Sequence, residues 1–292
     1  MLSVMPVMAG PADSGSSDQR RLLARFFIET HVDFTPEAIR WPTLQGEALA
    51  RLVHLPFWQE AVSTEAMTSQ TVAAATALEA DPLLRRAIAL QGFEEQRHAR
   101  LLQALTTHFG IPISPPERHA SSSLERDFLF AGFGECFDSF FAFGLFRLAQ
   151  SSGYFPAELV QIFEPIIQEE ARHILFFVNW VRYRRRLLRW WQRPLFRLRC
   201  GWIILQQVLS RVHTARSLGA NPAARPAAAT DNFTLSAHRQ LGEPVTLRRL
   251  LQLCLQESER RLSPYDARLA RPRLVPRLAG ALYRLIDLWP HR

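Results

Sequence analysis

Long runs of the chain repeat apolar residues every three or four positions, the period of a helix with one buried face. No pair of segments alternates with the two-residue period of paired strands, so the expected fold class is all-α. Punctuation residues divide the pattern. Residues 57–79 read as a first long helix. Asp81-Pro82 is a start signal, with Asp capping and Pro in the first turn, for a second helix to about His108. Gly110 and Pro112 end it. Residues 110–121 form a Pro/Ser-rich connector, and Ser121 to Ser123 offer caps for a third helix that reaches Gln150. Ser152-Gly153 breaks that helix, and a fourth runs from near Pro156 to about Trp191, with a kink expected at Pro165.

The flanks are organised differently. Residues 1–19 are small and polar and predict disorder, whereas 20–55 predict one or two short helices interrupted near Pro36 and Pro42. Residues 195–213 predict a fifth long helix, 214–245 a linker, and 246–292 two or three short Leu/Arg helices. The expected organisation is a helical extension at 20–55, a central bundle at 56–192 and a basic helical extension at 193–292.

Two segments of the bundle repeat each other. Residues 94–98 read Glu-Glu-Gln-Arg-His and residues 169–173 read Glu-Glu-Ala-Arg-His. Each places a Glu three positions before a His: Glu95 with His98, and Glu170 with His173. At that spacing both side chains lie on one helix face and can take one metal ion from the same side. One Glu-x-x-His is weak evidence. Two copies sharing four of five residues, each mid-helix, are a strong signal. A carboxylate-bridged metal pair needs one further Glu from each remaining helix. Glu65 and Glu135 are the candidates. Each is about as far from its hairpin turn as the Glu of its partner helix, so each hairpin should bring its two carboxylates level, roughly 22–26 Å from the turn. A connector of about 12 residues covers roughly 40 Å when extended, enough to recross the bundle.

Glu60, Glu94 and Glu169 are alternative ligands. Glu94 and Glu169 also stand three residues before Arg97 and Arg172, and ion pairing along their own helices is the favoured reading. A supporting role in orienting the ligands is compatible with it. The remaining histidines, His31, His54, His108, His119, His213, His238 and His291, read as structural or surface residues.

The order Glu, Glu-x-x-His, Glu, Glu-x-x-His over two hairpins and a crossover resembles the ferritin-like di-iron carboxylate superfamily across about residues 56–190. The resemblance implies a ferritin-like four-helix bundle. Glu65 and Glu135 would be the lone glutamates, Glu95 and Glu170 the bridging ones, and His98 and His173 the terminal nitrogen ligands. It implies two iron ions, with manganese or a mixed pair as the alternative, and chemistry with O2 or peroxide. Members often carry a functional polar group about one turn after the third-helix Glu. Asp138 and Ser139 occupy that place and are the candidate catalytic residues. Asp138 can be a seventh ligand, a proton donor or a partner for an Arg.

Composition narrows the function. Three widely spaced cysteines without a Cys-x-x-Cys exclude a disulfide scaffold, a zinc ribbon and a rubredoxin-type site, and favour a reducing compartment. No Gly-rich phosphate loop or Gly-x-Ser-x-Gly motif occurs. No signal peptide or membrane-spanning run is expected, so a cytoplasmic location follows, with contact at a membrane surface as an option. The third helix carries many Phe, read first as core and second as an apolar pocket, and Gly132, Gly134 and Gly144 leave room for another helix or a ligand. These features predict an O2-dependent oxidase, hydroxylase or desaturase for a hydrophobic small molecule or acyl substrate, served by a separate electron donor. An iron-handling or peroxide-reducing protein and a non-enzymatic helical adaptor are the alternatives.

Charge is polarised. Residues 1–181 hold 13 Arg against 21 Asp and Glu, whereas residues 182–292 hold 22 Arg against 6, and Lys is absent. In segment 182–202, Arg182 and its neighbouring arginines interleave with Trp190, Trp191 and Trp202. That pattern suits an acidic partner, an anionic membrane surface or the acidic half of the molecule itself; nucleic acid is disfavoured for want of any fingerprint.

Overall fold

The computed structural model describes residues 16–55, 57–115, 123–220 and 246–288. Every regular element among them is helical, and no strand occurs. The helices are α1 (Ser17–Glu29), α2 (Gly46–Val53), α3 (Trp58–Ala75), α4 (Pro82–His108), α5 (Leu124–Ser152), α6 (Ala157–Gln161), α7 (Glu164–Leu187), α8 (Gln192–Ala220), α9 (Leu247–Leu262) and α10 (Leu274–Leu288).

The punctuation acts where the sequence places it. Asp81 caps α4 by accepting from the amides of Leu83 and Leu84 at 3.0 and 3.1 Å. Gly153 ends α5 with φ of 64°, a left-handed conformation that suits a residue without a Cβ. The expected fourth helix is two helices. Pro165 lacks an amide to continue α6, so the chain turns at 162–163 and Pro165 sits in the first turn of α7. α8 runs to Ala220, beyond the predicted end at 213, so the first part of the predicted linker is helical. The rest of that linker, from 221 to 245, lies outside the described residues. So do residues 1–15, whereas 17–19 are already helical because Ser16 Oγ caps the amide of Gln19 at 3.0 Å.

α3 and α4 form one antiparallel hairpin, and α5 and α7 the other. Gly132 faces Phe177 and Ser139 meets Glu170, a register that only antiparallel helices produce. α4 and α5 run in the same direction. Leu84 and Ile88 near the start of α4 share a core cluster with Phe128 and Leu129 near the start of α5. Leu102 and Leu105 near the end of α4 share the other cluster with Phe140 and Phe146. The chain therefore leaves α4 at one end of the bundle and enters α5 at the other; residues 116–122 of the expected crossover lie outside the described residues.

Two apolar clusters thus make up the core around the middle of the bundle. The phenylalanines of α5 fill them: Phe128 and Phe143 in one, Phe137, Phe140 and Phe146 in the other. The α5 glycines admit neighbouring helices. A Cβ at Gly132 would stand 2.2 Å from the Phe177 ring, one at Gly134 3.3 Å from Gln207, and one at Gly144 2.4 Å from Cys254 Sγ. α9 thus packs tightly on α5, and buried Arg261 ties it to Glu164 through two 3.0 Å contacts. α5 is the one described helix long and apolar enough to cross a membrane by length and composition, but 61% of that window is buried inside the molecule. All three cysteines are buried and unpaired.

Candidate metal centre

Glu65 on α3, Glu95 and His98 on α4, Glu135 on α5, and Glu170 and His173 on α7 converge at the middle of the bundle. One ligand atom each from Glu65, Glu95, His98 and Glu170 lie within 4.8 Å of one another, and so do those from Glu95, Glu135 and His173. Glu95 belongs to both groups. All six predicted metal ligands are therefore brought together. Glu60 is not among them.

The two halves mirror each other. His98 Nδ1 stands 3.3 Å from Glu170, 3.5 Å from Glu65 and 3.7 Å from Glu95. His173 Nδ1 stands 2.8 Å from Glu95 and 3.8 Å from Glu170. The imidazoles stack with centroids 5.6 Å apart. On the far side of each ring, Nε2 lies 2.8 Å from a carboxylate: Glu169 for His98 and Glu94 for His173. A carboxylate there takes the Nε2–H and leaves the Nδ1 lone pair facing inward, the tautomer a metal ligand needs.

Here the structure corrects the expected ion pairs. Glu94 and Glu169 do not pair along their own helices. Arg172 of α7 binds Glu94 of α4 at 2.9 Å, and Arg97 of α4 binds Glu169 of α7. The pairing is exchanged because α4 and α7 are neighbours and these buried side chains reach across the gap between them. Each of these carboxylates also holds the His of the opposite helix, Glu94 that of α7 and Glu169 that of α4. The end of α1 and the strand of chain after it complete the layer. His31 Nδ1 contacts Glu94. Arg172 donates to the Phe27 carbonyl at 2.6 Å and to Thr30 Oγ1 at 2.9 Å. Arg97 donates to the Val32 carbonyl and to Asp33, each at 3.1 Å.

Ser139 is part of the centre: its buried hydroxyl donates to Glu170 Oε2 at 2.9 Å. Asp138 is not. It points to α8, where Arg211 binds it at 2.7 Å, so of its three expected roles the Arg-partner one matches the geometry. Asp138 is in neither candidate ligand group. Gln91, which sequence reasoning missed, is buried with its amide 3.5 Å from Glu135 Oε2. It lies four residues before Glu95, so the i, i+4 rule applied backwards from the motif would have found it. Thr30, His31 and Asp33 carry no such signal.

The electrostatics describe a cage built for positive charge. Burial raises the Glu65 pKa to about 8, with the charges of Glu95 and Glu170 adding to it and His98 opposing. Burial, then the same two carboxylates, raises Glu135 well above the usual range. Burial disfavours charged imidazoles, yet the surrounding carboxylates outweigh it and raise both His98 and His173. In Glu94 burial is likewise overcome, by His173 and Arg172, and its carboxyl is held well below its ordinary value. In Glu170 too burial is overcome, by His98, His173 and the Ser139 hydroxyl, and its carboxyl is held below its ordinary value; the crowding falls on Glu65 and Glu135. Two buried atoms, His98 Nδ1 and Glu135 Oε1, have no hydrogen-bond partner, and His173 Nδ1 and Glu95 Oε1 have only each other, at 2.8 Å. Buried polar atoms are rarely left so, and all four residues belong to the two candidate ligand groups. This donor set of imidazole nitrogen and carboxylate oxygen suits first-row transition metals.

Comparison with protein-family models, with curated proteins and with solved structures gives no match.

Proposed function

We propose that this chain is a non-haem di-iron oxidoreductase on a ferritin-like bundle, which oxidises a hydrophobic small molecule or acyl chain with O2. One observation carries the reading: four carboxylates and two inward-facing imidazole nitrogens converge in two groups, sharing Glu95, at the waist of two antiparallel hairpins. The parallel course of α4 and α5 supports the ferritin-like topology. Glu65, His98, Glu95 and Glu170 would hold one ion, and Glu135, His173 and Glu95 the other. Iron is favoured over manganese by the resemblance. A redox-active metal pair, when bound there, would supply O2 activation.

The chain's own residues set the conditions. Four carboxylates offset the charge of two divalent ions. Glu94 and Glu169 fix each His tautomer, and the Arg layer fixes Glu94 and Glu169. Ser139 orients Glu170 without occupying a ligand position. The apolar clusters around the middle of the bundle exclude water, which favours an apolar substrate. A separate donor must deliver electrons. The peroxide-reducing or iron-handling reading gained from Asp138 as an extra ligand, and the Arg211 pair removes that support.

Elemental analysis of the full chain expressed with ample iron tests the reading. About two irons per chain are expected, lost in Glu65→Ala and His173→Ala. No transition metal after anaerobic ferrous reconstitution would overturn it, as would either variant that keeps both irons. Oxygen uptake stimulated by an apolar acyl compound would separate an oxygenase from an iron-handling protein.

A further inference from the structure

α8 carries an apolar stripe on its outer face. Leu195, Leu198, Trp202, Leu205, Leu209 and Val212 follow one another at alternating steps of three and four, and all six are exposed. Leu198 is 71% exposed and Trp202 60%, and Trp190, in the turn before the helix, is 75% exposed. The stripe runs for about 25 Å.

The helix cannot roll to hide it. Its inner face is already engaged: Phe196, Cys200 and Ile203 are in the core. Gln207 donates to the Phe130 carbonyl at 2.9 Å, and Arg211 binds Asp138 and the Gly134 carbonyl at 2.7 and 3.1 Å. A contiguous apolar face of this kind, held outward and rimmed by charge, marks an interaction surface.

Charge says what covers it. No Asp or Glu occurs between residues 171 and 230, while Arg182, Arg186, Arg189 and Arg197 are exposed beside the stripe or just before it. A second copy laid on this face would set arginines against arginines with no acid on the helix to pair them. Residues 221–245 offer only Phe233, Leu235, Leu241 and Val245 as large apolar side chains, too few for a six-residue stripe. Trp and Leu on the apolar side with arginines at its rim match the layered chemistry of an anionic bilayer surface, where acyl chains lie just below phosphates.

We propose that α8 docks this protein onto an anionic lipid surface, with its Leu/Trp stripe at the boundary of headgroups and acyl chains. The proposal stands on different residues from the metal centre and does not depend on it.

The test is co-sedimentation of the full chain with vesicles of phosphatidylcholine alone and of phosphatidylcholine with phosphatidylglycerol. Binding to the anionic vesicles only, weakened by added salt and accompanied by a blue shift of Trp emission, is the expected result. The double variant Leu198→Glu, Trp202→Glu should lose about tenfold or more in partitioning. Both positions are exposed, so its helicity and metal content should match the parent's. Three results would overturn the proposal: a parent chain that stays in the supernatant with both vesicles, a variant that binds as well as the parent, or a lipid-free dimer that the variant splits, which would put a second copy on the stripe.

Discussion

Glu94 and Glu95 are neighbours in sequence but point about 100° apart around the helix, and so do Glu169 and Glu170. That rotation divides the labour. The second Glu of each motif faces the waist of the bundle, and the first reaches across to hold the other motif's His. Glu169→Gln keeps the shape but weakens the charge-assisted bond to His98, and it should lower metal affinity by about 10–100-fold. A competition titration against a chelator measures this, and an unchanged affinity would remove Glu169 from the supporting layer. Arg172→Leu leaves Glu94 buried without its arginine partner and should cost about 3–5 kcal/mol in urea unfolding. Glycines show the same dependence on surroundings. Gly132→Ala drives a Cβ into the Phe177 ring and should destabilise by about 1–3 kcal/mol. Gly201→Ala on α8 meets nothing within 4 Å and should stabilise by up to about 1 kcal/mol. Equal effects at the two positions would refute the packing argument.

At the level of elements, the long helices place the ligands at one height, so whatever sets a helix start sets the register of the centre. Asp81 does this for α4 with two amide bonds and a 3.0 Å contact to Arg20 that ties in α1. Asp81→Ala should cost about 1 kcal/mol, read as a lower denaturation midpoint with an unchanged slope. α1 matters more than its distance in sequence suggests, because Arg172 and Arg97 are held by carbonyls and side chains from Phe27 to Asp33. The Phe-rich pattern of α5 was ambiguous between pocket and core. Packing against α7 and α9 settles most of those rings as core.

For the molecule as a whole, the centre is a concentrated store of like charge at its waist. A cation bound there stabilises the fold by mass action, about 2.7 kcal/mol at a free concentration one hundred times the dissociation constant. Chelation should therefore lower the melting temperature of the parent and leave that of a His98→Ala, His173→Ala double variant unmoved. A parent insensitive to chelator after iron loading would contradict a metal held by these residues.

The sequence by itself determined the helical class, the two hairpins, the height of the carboxylates and the six converging Glu and His side chains. Each of these follows from local rules: period, cap residues and equal distances from a turn. Tertiary structure alone decided three things. It exchanged the Glu–Arg partners between α4 and α7, recruited Thr30, His31 and Asp33 to the second layer, and gave Asp138 to Arg211 rather than to the centre. The reason is geometric. Helical spacing states which residues share a face, but not which neighbour that face meets, and a residue seventy positions away leaves no periodic trace in the chain. The outward stripe of α8 is of the same kind: its spacing is written in the sequence, but its exposure follows only from the contacts that occupy the helix's other side.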